Sequence, residues 1–365
     1  MNEMNPLGAE IAAMIAQDGP ISVERYMGLC LSHPVHGYYM TRDPLGADGD
    51  FVTSPEISQM FGELLGLWSA ETWRLMGAPQ PARLVELGPG RGTLMADALR
   101  AARAAPDFYS DLSVTMVETS PALQARQQRM LENADRTVEW KETVDEIAPG
   151  PAIILANEFF DALPARHYLK TPEGWRERQV GLADGKLVFG AAAEIEPHLT
   201  VDAPDGVVLE VGAVGQRIMM TLAARIVQQG GALLVVDYGH SQTALGETLQ
   251  AMRDHAYVDA LESPGEADLT THIDFSGLAR AAKAAGARVH GPVTQGFFLR
   301  QIGIVQRAQA LMRNASAEQR EEIERSLVRL ISEVQDTDMG RLFKVMAITQ
   351  RSVEALPGFI EEPVA

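Results

Sequence analysis

The sequence holds a single cysteine, Cys30, in 365 residues. One cysteine cannot form an intramolecular disulfide, and it excludes a zinc site built from several cysteines. Long apolar runs are also missing, because the stretches IILANEFF and ALLVVDYG are shorter than a membrane span and carry acids. These absences predict a protein of a reducing compartment that does not insert into a membrane.

Basic residues are scarce: 31 lysines and arginines stand against 49 aspartates and glutamates, a formal net charge of −18. Nucleic-acid binding depends on cationic contacts to phosphates, so this balance argues against a nucleic-acid substrate. We expect most of the acidity to be solubilising surface charge, although it also suits a cationic substrate. The eight histidines include no H-x-x-x-H pair, so no metal site is predicted.

The amino-terminal stretch MNEMNPLGAEIAAMIAQDG carries no basic region followed by an apolar core, which a signal peptide requires. It also lacks the arginine enrichment of a mitochondrial presequence. We therefore expect a cytoplasmic protein of the bacterial type.

The hydrophobic pattern predicts a helical region at 1–78, followed by alternating strands and helices typical of an α/β domain with a parallel sheet. Within the helical region, Thr53 and Glu56 match a capping box, and the loop at 43–51 is open to two interpretations, a lid or an ordinary surface loop.

The α/β domain is predicted to span 79–350 and the tail 351–365. Short strands with turn signals indicate an antiparallel insertion at about 165–200. The main pattern is expected to return with a strand at 207–211, before a polar, irregular insertion at about 240–270.

The strongest motif is RLVELGPGRGTL, in which an apolar strand ends at Glu86 and glycines follow at alternate positions, Gly88, Gly90 and Gly92. Glycines allow a tight turn and a close approach of the backbone to a ligand. The helix predicted to begin near Thr93 offers free N–H groups to an anionic group. The motif indicates a cofactor site, and the alternative is a plain turn between a strand and a helix.

The charge of this motif favours S-adenosylmethionine (SAM) over a nicotinamide cofactor. The loop departs from the G-x-G-x-x-G spacing because Thr93 occupies the third glycine position. Glu86 would repel a pyrophosphate, whereas it attracts the ammonium or sulfonium group of SAM. An NAD(P)-dependent oxidoreductase remains the less favoured alternative.

Two further strands end in polar side chains at the same predicted sheet edge. SVTMVETS carries Glu118 and Thr119, and a carboxylate there can accept hydrogen bonds from both ribose hydroxyls. AIILANEFFDALP carries Asn157, Glu158 and Asp161, which can bind a substrate nitrogen, orient a cation or accept a proton. The alternatives are a solvated acid at Glu118 and a structural turn after Asn157.

The segments GDFVTSPEIS, VELGPGRGTL, NEFFDALP, LLVVDYG and PGEADLTTHIDF occur in an order that resembles the MidA-like SAM-dependent methyltransferases over about residues 20–350. The mitochondrial members of that family are protein arginine methyltransferases that assist the assembly of respiratory complex I. The resemblance implies an α/β, Rossmann-like class I SAM-dependent methyltransferase fold with an N-terminal helical region and an antiparallel β insertion.

The resemblance also implies SAM as the cofactor. Gly88, Gly90, Gly92 and Glu118 match cofactor positions, and Asn157 and Glu158 match the motif that faces substrate and methyl group. We also expect cofactor contacts from the neighbouring Glu86, Pro89 and Thr119, and from Asn157.

The expected function is therefore protein arginine N-methylation, with a complex I subunit or a similar protein as substrate. A guanidinium is protonated at neutral pH, and a pair of carboxylates can bind it through two parallel hydrogen bonds. Glu158 is the first candidate for this catalytic role, Asp161 the second, and Asn157 lies beside them. The main rival is a SAM-binding assembly chaperone without activity, and a homodimer is left open.

Three further residues are weaker candidates. Asp237 and Tyr238 end the apolar strand in LLVVDYG, and His272 follows in DLTTHIDF. A lone histidine is more often a hydrogen-bonded structural residue than an acid or base, so the role of His272 stays open.

Overall fold

The computed structural model describes residues 4–41 and 53–359. The loop at 43–51, the candidate lid, lies outside these residues. The helices in the described residues are α1 (Pro6–Asp18), α2 (Val23–Ser32), α3 (Tyr38–Thr41), α4 (Ser54–Ile57), α5 (Gln59–Leu75), α6 (Thr93–Ala102), α7 (Pro106–Tyr109), α8 (Pro121–Met130), α9 (Ala213–Gln229), α10 (Phe275–Ala284), α11 (Gln295–Gln301), α12 (Ile304–Met312), α13 (Ala317–Ile331) and α14 (Met339–Leu342). Within the two described ranges, no helix combines the length and apolarity needed to cross a bilayer.

The strands vary from two to ten residues in length. They are β1 (Ile21–Ser22), β2 (Arg83–Leu87), β3 (Ser113–Val117), β4 (Val138–Lys141), β5 (Ala152–Asn157), β6 (Arg166–Thr171), β7 (Gly174–Ala183), β8 (Lys186–Ala191), β9 (Val208–Val211), β10 (Gly231–His240), β11 (Gln250–Arg253), β12 (Ala256–Val258), β13 (Asp268–Thr270), β14 (Ile273–Asp274), β15 (Arg288–Thr294) and β16 (Phe343–Thr349).

The central sheet has the strand order β4-β3-β2-β5-β10-β16-β15, and β14 pairs with the end of β10. The strands from β4 to β10 in this order run parallel, whereas β16 runs antiparallel to β10 and β15. The strand order reverses between β2 and β5, and open α/β sheets bind ligands at such a point. The predicted Rossmann-like fold is confirmed.

Apolar clusters cover both faces of this sheet. β5 is buried along its whole length, and its side chains alternate between two clusters. Ile153 and Leu155 pack with residues of α5 and α6, while Ile154 and Ala156 pack with residues of α9 and α10. A parallel strand with crossover helices on both sides requires such a continuous apolar run.

Helices α5 and α6 approach closely because α5 carries a glycine where they cross. A Cβ atom on Gly66 would lie 2.3 Å from the carbonyl oxygen of Ala98. One turn away, the buried Glu63 binds Arg100 at 3.0 Å and Arg307 of α12 at 2.7 Å. These contacts fix α6, whose first turn follows the glycine loop.

The N-terminal helices α1 and α2 pack on the insertions rather than on the central sheet. Leu7, Ile11 and Tyr26 share an apolar cluster with Val180 of β7 and Leu269 of β13. β1 also pairs with β7, so the first part of the chain completes the antiparallel sheet.

Two expectations about the insertions are wrong. The strand at 207–211 does not return to the main sheet, because Val208–Val211 pairs antiparallel with β6. The region at 240–270 is not irregular, because β11, β12 and β13 form a three-stranded sheet there. An apolar pattern identifies a strand without naming its neighbour, and strands of three or four residues carry little pattern.

The predicted capping box is wrong as well. Thr53 lies at the N-cap of α4, but its side chain makes no capping hydrogen bond. Pro55 has no N–H to donate, and the N–H of Glu56 is bound by the carbonyl oxygen of Thr53 at 3.0 Å. The carboxylate of Glu56 instead accepts a hydrogen bond from Thr93 at 2.5 Å, which connects α4 to the start of α6.

Candidate active site

A cavity opens at the carboxyl ends of β2, β3 and β5, where the strand order reverses. Residues of α2, α3 and α4 close its other side. Of the predicted site residues, the following line it: Glu86, Gly88, Pro89, Gly90, Glu118, Thr119, Asn157, Glu158 and Asp161. The structure thus brings together residues that lie up to 75 positions apart in the chain.

The glycine loop needs glycine for backbone reasons. Gly88, Gly90 and Gly92 have φ values of 58°, 53° and 85°, a left-handed region that L side chains rarely adopt. A Cβ atom on Gly88 would lie 3.0 Å from Cδ2 of Phe159, so a side chain would crowd the cavity. Gly92 does not line the cavity, and it forms the N-cap of α6 instead.

Glu86, the last residue but one of β2, has 3% of its surface exposed, and one of its carboxylate oxygens has no hydrogen-bond partner. Burial raises the pKa of Glu86 well above its usual range, and the nearby Glu118 raises it further. An unpaired buried carboxylate is costly unless a cationic group joins it. The site therefore fits a ligand that carries an ammonium or sulfonium group.

Glu118 directly follows β3, the next strand along the chain, and is also buried. Its Oε1 accepts a hydrogen bond from the N–H of Ser120 at 2.8 Å, and its Oε2 accepts one from Gln127 at 3.2 Å. Burial raises the pKa of Glu118, and these donors oppose the rise. The carboxylate keeps room for further donors from the cavity, such as hydroxyl groups.

The turn after β5 holds Glu158 in an unusual conformation, with φ at 49°. Its Oε1 accepts hydrogen bonds from the N–H of Ser54 and from the amide of Asn157, each at 3.1 Å. Strained backbone of this kind in a non-glycine residue often marks a functional site. The Oδ1 atom of Asn157 and the Oδ1 atom of Asp161 are buried without a hydrogen-bond partner.

The two acids of this turn titrate near neutral pH. Burial raises the pKa of Glu158 to about 8, and the charge of Asp161 adds to the rise. Burial also raises the pKa of Asp161 to about 6, against a hydrogen bond from the hydroxyl of Tyr238. A bound cation would lower both pKa values and favour the charged form of both carboxyl groups.

Asp237 binds the backbone of the turn after β5 and does not line the cavity. Its fully buried carboxylate accepts backbone hydrogen bonds from Phe159 at 3.2 Å, Phe160 at 3.0 Å and Asp161 at 3.4 Å through one oxygen. Its other oxygen accepts one from the N–H of Tyr238 at 3.0 Å. Asp237 therefore shapes the turn that carries the acids.

His272 lies away from the cavity. Its ring packs edge-on against Tyr238, with ring centroids 5.4 Å apart, and it faces His240 at 5.2 Å. Its backbone N–H donates to the hydroxyl of Thr248 at 2.8 Å. These contacts favour the structural interpretation of His272.

The sequence profile of a family described as S-adenosyl-L-methionine-dependent methyltransferases matches residues 64–293, more than half of the chain. The chain belongs to this family. The methyltransferase uses SAM as its cofactor, and the unpaired Glu86 and the glycine loop fit that molecule.

Curated relatives extend the likeness over most of the methyltransferase. Protein arginine methyltransferase NDUFAF7, mitochondrial, of Danio rerio is 37% identical over 372 residues, which cover 93% of this chain and 85% of the relative. The protein of the same name from Homo sapiens is 38% identical over 348 residues, which cover 85% of this chain and 76% of the relative. The prediction of a cytoplasmic location is wrong, because these relatives are named as mitochondrial proteins.

A solved structure supports the fold. The crystal structure of a superfamily member from Burkholderia thailandensis, considered a methyl transferase and bound to S-adenosyl-homocysteine, superposes with a TM-score of 0.83. It is 28% identical, and the match covers 96% of this chain and 93% of that chain.

Sequence reasoning missed three residues of the methyltransferase site. Tyr39 lines the cavity from α3, and its hydroxyl donates to Asp268 at 2.8 Å. Ser54 holds Glu158, and Gln127 holds Glu118. Of the three, only Gln127 could have been noticed in the sequence. It is a polar residue four positions after Leu123, on the buried face of the same helix.

Proposed function

We propose that this methyltransferase transfers the methyl group of SAM to an arginine side chain of a protein. The observation that carries the proposal is the buried, acidic turn of Glu158 and Asp161 beside the cofactor half of the cavity. Relatives that are named protein arginine methyltransferases support the choice of arginine.

The cofactor half of the cavity is the glycine loop and the first two acids. We assign the ammonium group of SAM to Glu86, the ribose hydroxyls to Glu118 and the methionine carboxylate to the backbone around Gly88 and Gly90. Pro89, Thr119 and Asn157, which also line the cavity, complete the proposed cofactor set, and Gly92 contributes only by starting α6 behind the loop. When bound, SAM supplies an electrophilic methyl group, and the protein contributes position and electrostatics.

The acceptor half is the turn after β5. Glu158 and Asp161 bind the guanidinium by charge-assisted hydrogen bonds and bias its charge away from the reacting nitrogen. Asn157 holds Glu158 through its amide, and its unpaired Oδ1 faces a substrate N–H. Phe159 lines the same cavity and excludes water, and Glu158 accepts the proton that the guanidinium loses.

The proposed acceptor is a subunit of respiratory complex I or a similar protein, as the family resemblance of the sequence implies. The division into a helical region at 1–78, a methyltransferase domain at 79–350 and a tail at 351–365 is part of the same proposal. A homodimer is one arrangement that the proposal allows.

The test is transfer from SAM with a labelled methyl group to arginine-containing proteins, followed by amino-acid analysis of the product. We expect label in methylarginine and none in methyllysine. Glu158→Gln should lower transfer at least a hundredfold while S-adenosylhomocysteine binding stays normal, a loss typical of a removed general base. Glu139→Gln, an exposed acid on β4, is the matched control and should keep full activity.

Other results would overturn the proposal. Full transfer by Glu158→Gln would remove that residue from its role. Cofactor binding without transfer to any arginine-containing partner would favour the assembly chaperone instead, and binding of NAD would favour an oxidoreductase.

A further inference from the structure

We propose that Gln127 is a positioning residue that sets recognition of the ribose by Glu118. The inference rests on the proposed role of Glu118 and deepens it. Gln127 does not line the cavity, so it acts only through its neighbours.

Gln127 lies on α8 with none of its surface exposed, and its amide makes hydrogen bonds in three directions. Its Nε2 donates to Oε2 of Glu118 at 3.2 Å and to the carbonyl oxygen of Gly90 at 2.9 Å. Its Oε1 accepts from Nε1 of Trp140 at 2.8 Å. An indole N–H can only donate, so Trp140 fixes which end of the amide faces Glu118.

This arrangement orients the carboxylate of Glu118. The N–H of Ser120 holds one oxygen, and Gln127 holds the other. A carboxylate offers about four lone-pair sites, so both oxygens can still accept hydrogen bonds from the cavity. Two neighbouring hydroxyls need both oxygens in a fixed plane, which a carboxylate held at one end alone does not provide.

The same amide connects Glu118 to the glycine loop. The bond to the Gly90 carbonyl ties the loop to α8, and a Cβ atom on Gly92 would lie 3.4 Å from the Cα atom of Gln127. One buried side chain therefore sets the spacing between the two parts of the site that we assign to the ribose and to the methionine end of the cofactor.

The test compares two ligands, S-adenosylhomocysteine and its 2′-deoxy analogue, by isothermal titration. The wild-type protein should bind the 2′-deoxy analogue about tenfold more weakly, the value of one lost hydrogen bond to a charged group. Gln127→Met and Gln127→Leu both remove the donor to Glu118 without adding a charge. In both variants we expect S-adenosylhomocysteine to bind about tenfold more weakly, and the preference over the analogue to disappear.

The matched control is Gln128→Met, the same change at the next and exposed position of α8, which should keep both affinities. A folded Gln127 variant that binds more weakly but keeps the tenfold preference would show a structural role only and overturn the inference. An equal affinity of the wild type for both ligands would overturn the role of Glu118 and the inference with it. If the wild type binds neither ligand, the assignment of SAM as the cofactor is contradicted instead.

Discussion

Three acids of the cavity are buried or half-buried, and their hydrogen-bond partners among the residues described are neutral groups. Glu86 is left with an unpaired oxygen, Glu118 is held by a glutamine, and Glu158 is held by a backbone N–H and an asparagine. Such groups destabilise the folded protein unless a cation binds, and functional sites often carry this cost. At the residue scale, these acids favour binding of a cationic ligand in the cavity.

The pKa of Glu158, raised to about 8, predicts how activity depends on pH. The carboxyl group must be charged to bind a guanidinium, and a raised pKa means that it is protonated at lower pH. We therefore expect kcat/KM for the arginine substrate to fall as pH drops below 8 and to level off above it. The measurement is a pH profile from 6 to 9.5 in constant ionic strength.

Glu158→Gln should remove the inflection near pH 8 from whatever activity remains, because glutamine does not titrate. Glu139→Gln should leave the profile unchanged. A wild-type profile that is flat between pH 7 and 9 would contradict the assignment of Glu158.

Asp237 predicts an effect on both stability and transfer. Asp237→Asn replaces one carboxyl oxygen with an NH2 group that donates and cannot accept, so the turn after β5 loses at least one hydrogen bond and gains a contact between two donors. We expect the free energy of unfolding to fall by about 2–3 kcal/mol and transfer to fall with it. Asp184→Asn, in an exposed turn where asparagine tolerates the positive φ, is the control for denaturant unfolding. An unchanged midpoint for Asp237→Asn would contradict the account of the turn.

At the scale of the elements, the contact between α5 and α6 leaves no room for an additional methyl group on Gly66. A methyl group on Gly66 would lie 2.3 Å from a backbone carbonyl oxygen, so one helix must shift. Gly66→Ala should lower the free energy of unfolding by about 1–3 kcal/mol, although alanine favours helices. Urea denaturation measures this, with Gly190→Ala as the control because a Cβ atom there meets nothing within 4 Å. A gain in stability for Gly66→Ala would show that the helices can separate freely.

Elements with a strong local pattern could be predicted from the sequence. The glycine loop and the buried strand Ala152–Asn157 are recognisable because periodicity and glycine spacing are local properties. The partner of Val208–Val211 and the short strands between 250 and 270 were not, because pairing depends on distant residues. The contact of Ser54 with Glu158, 104 positions apart, leaves no local trace.

At the scale of the whole molecule, the sheet brings the ends of three parallel strands to one cavity. The sequence identifies the acids at those ends, and the parallel topology explains why they meet. Helices α3 and α4 add Tyr39 and Ser54, which the strand pattern of the sequence does not predict. The charge of −18 agrees with a cationic acceptor, but the cavity acids define the site.

The most direct test of this account is isothermal titration of the purified protein with S-adenosylhomocysteine, with NAD as the ligand control. We compare the wild type with Gly90→Val, which forces a branched side chain into a φ of 53°, and with Gly190→Val on β8, where there is space for a side chain. We expect the wild type and Gly190→Val to bind S-adenosylhomocysteine, Gly90→Val to bind none, and NAD to give no signal. Failure of the wild type to bind S-adenosylhomocysteine, or binding of NAD in its place, would contradict it.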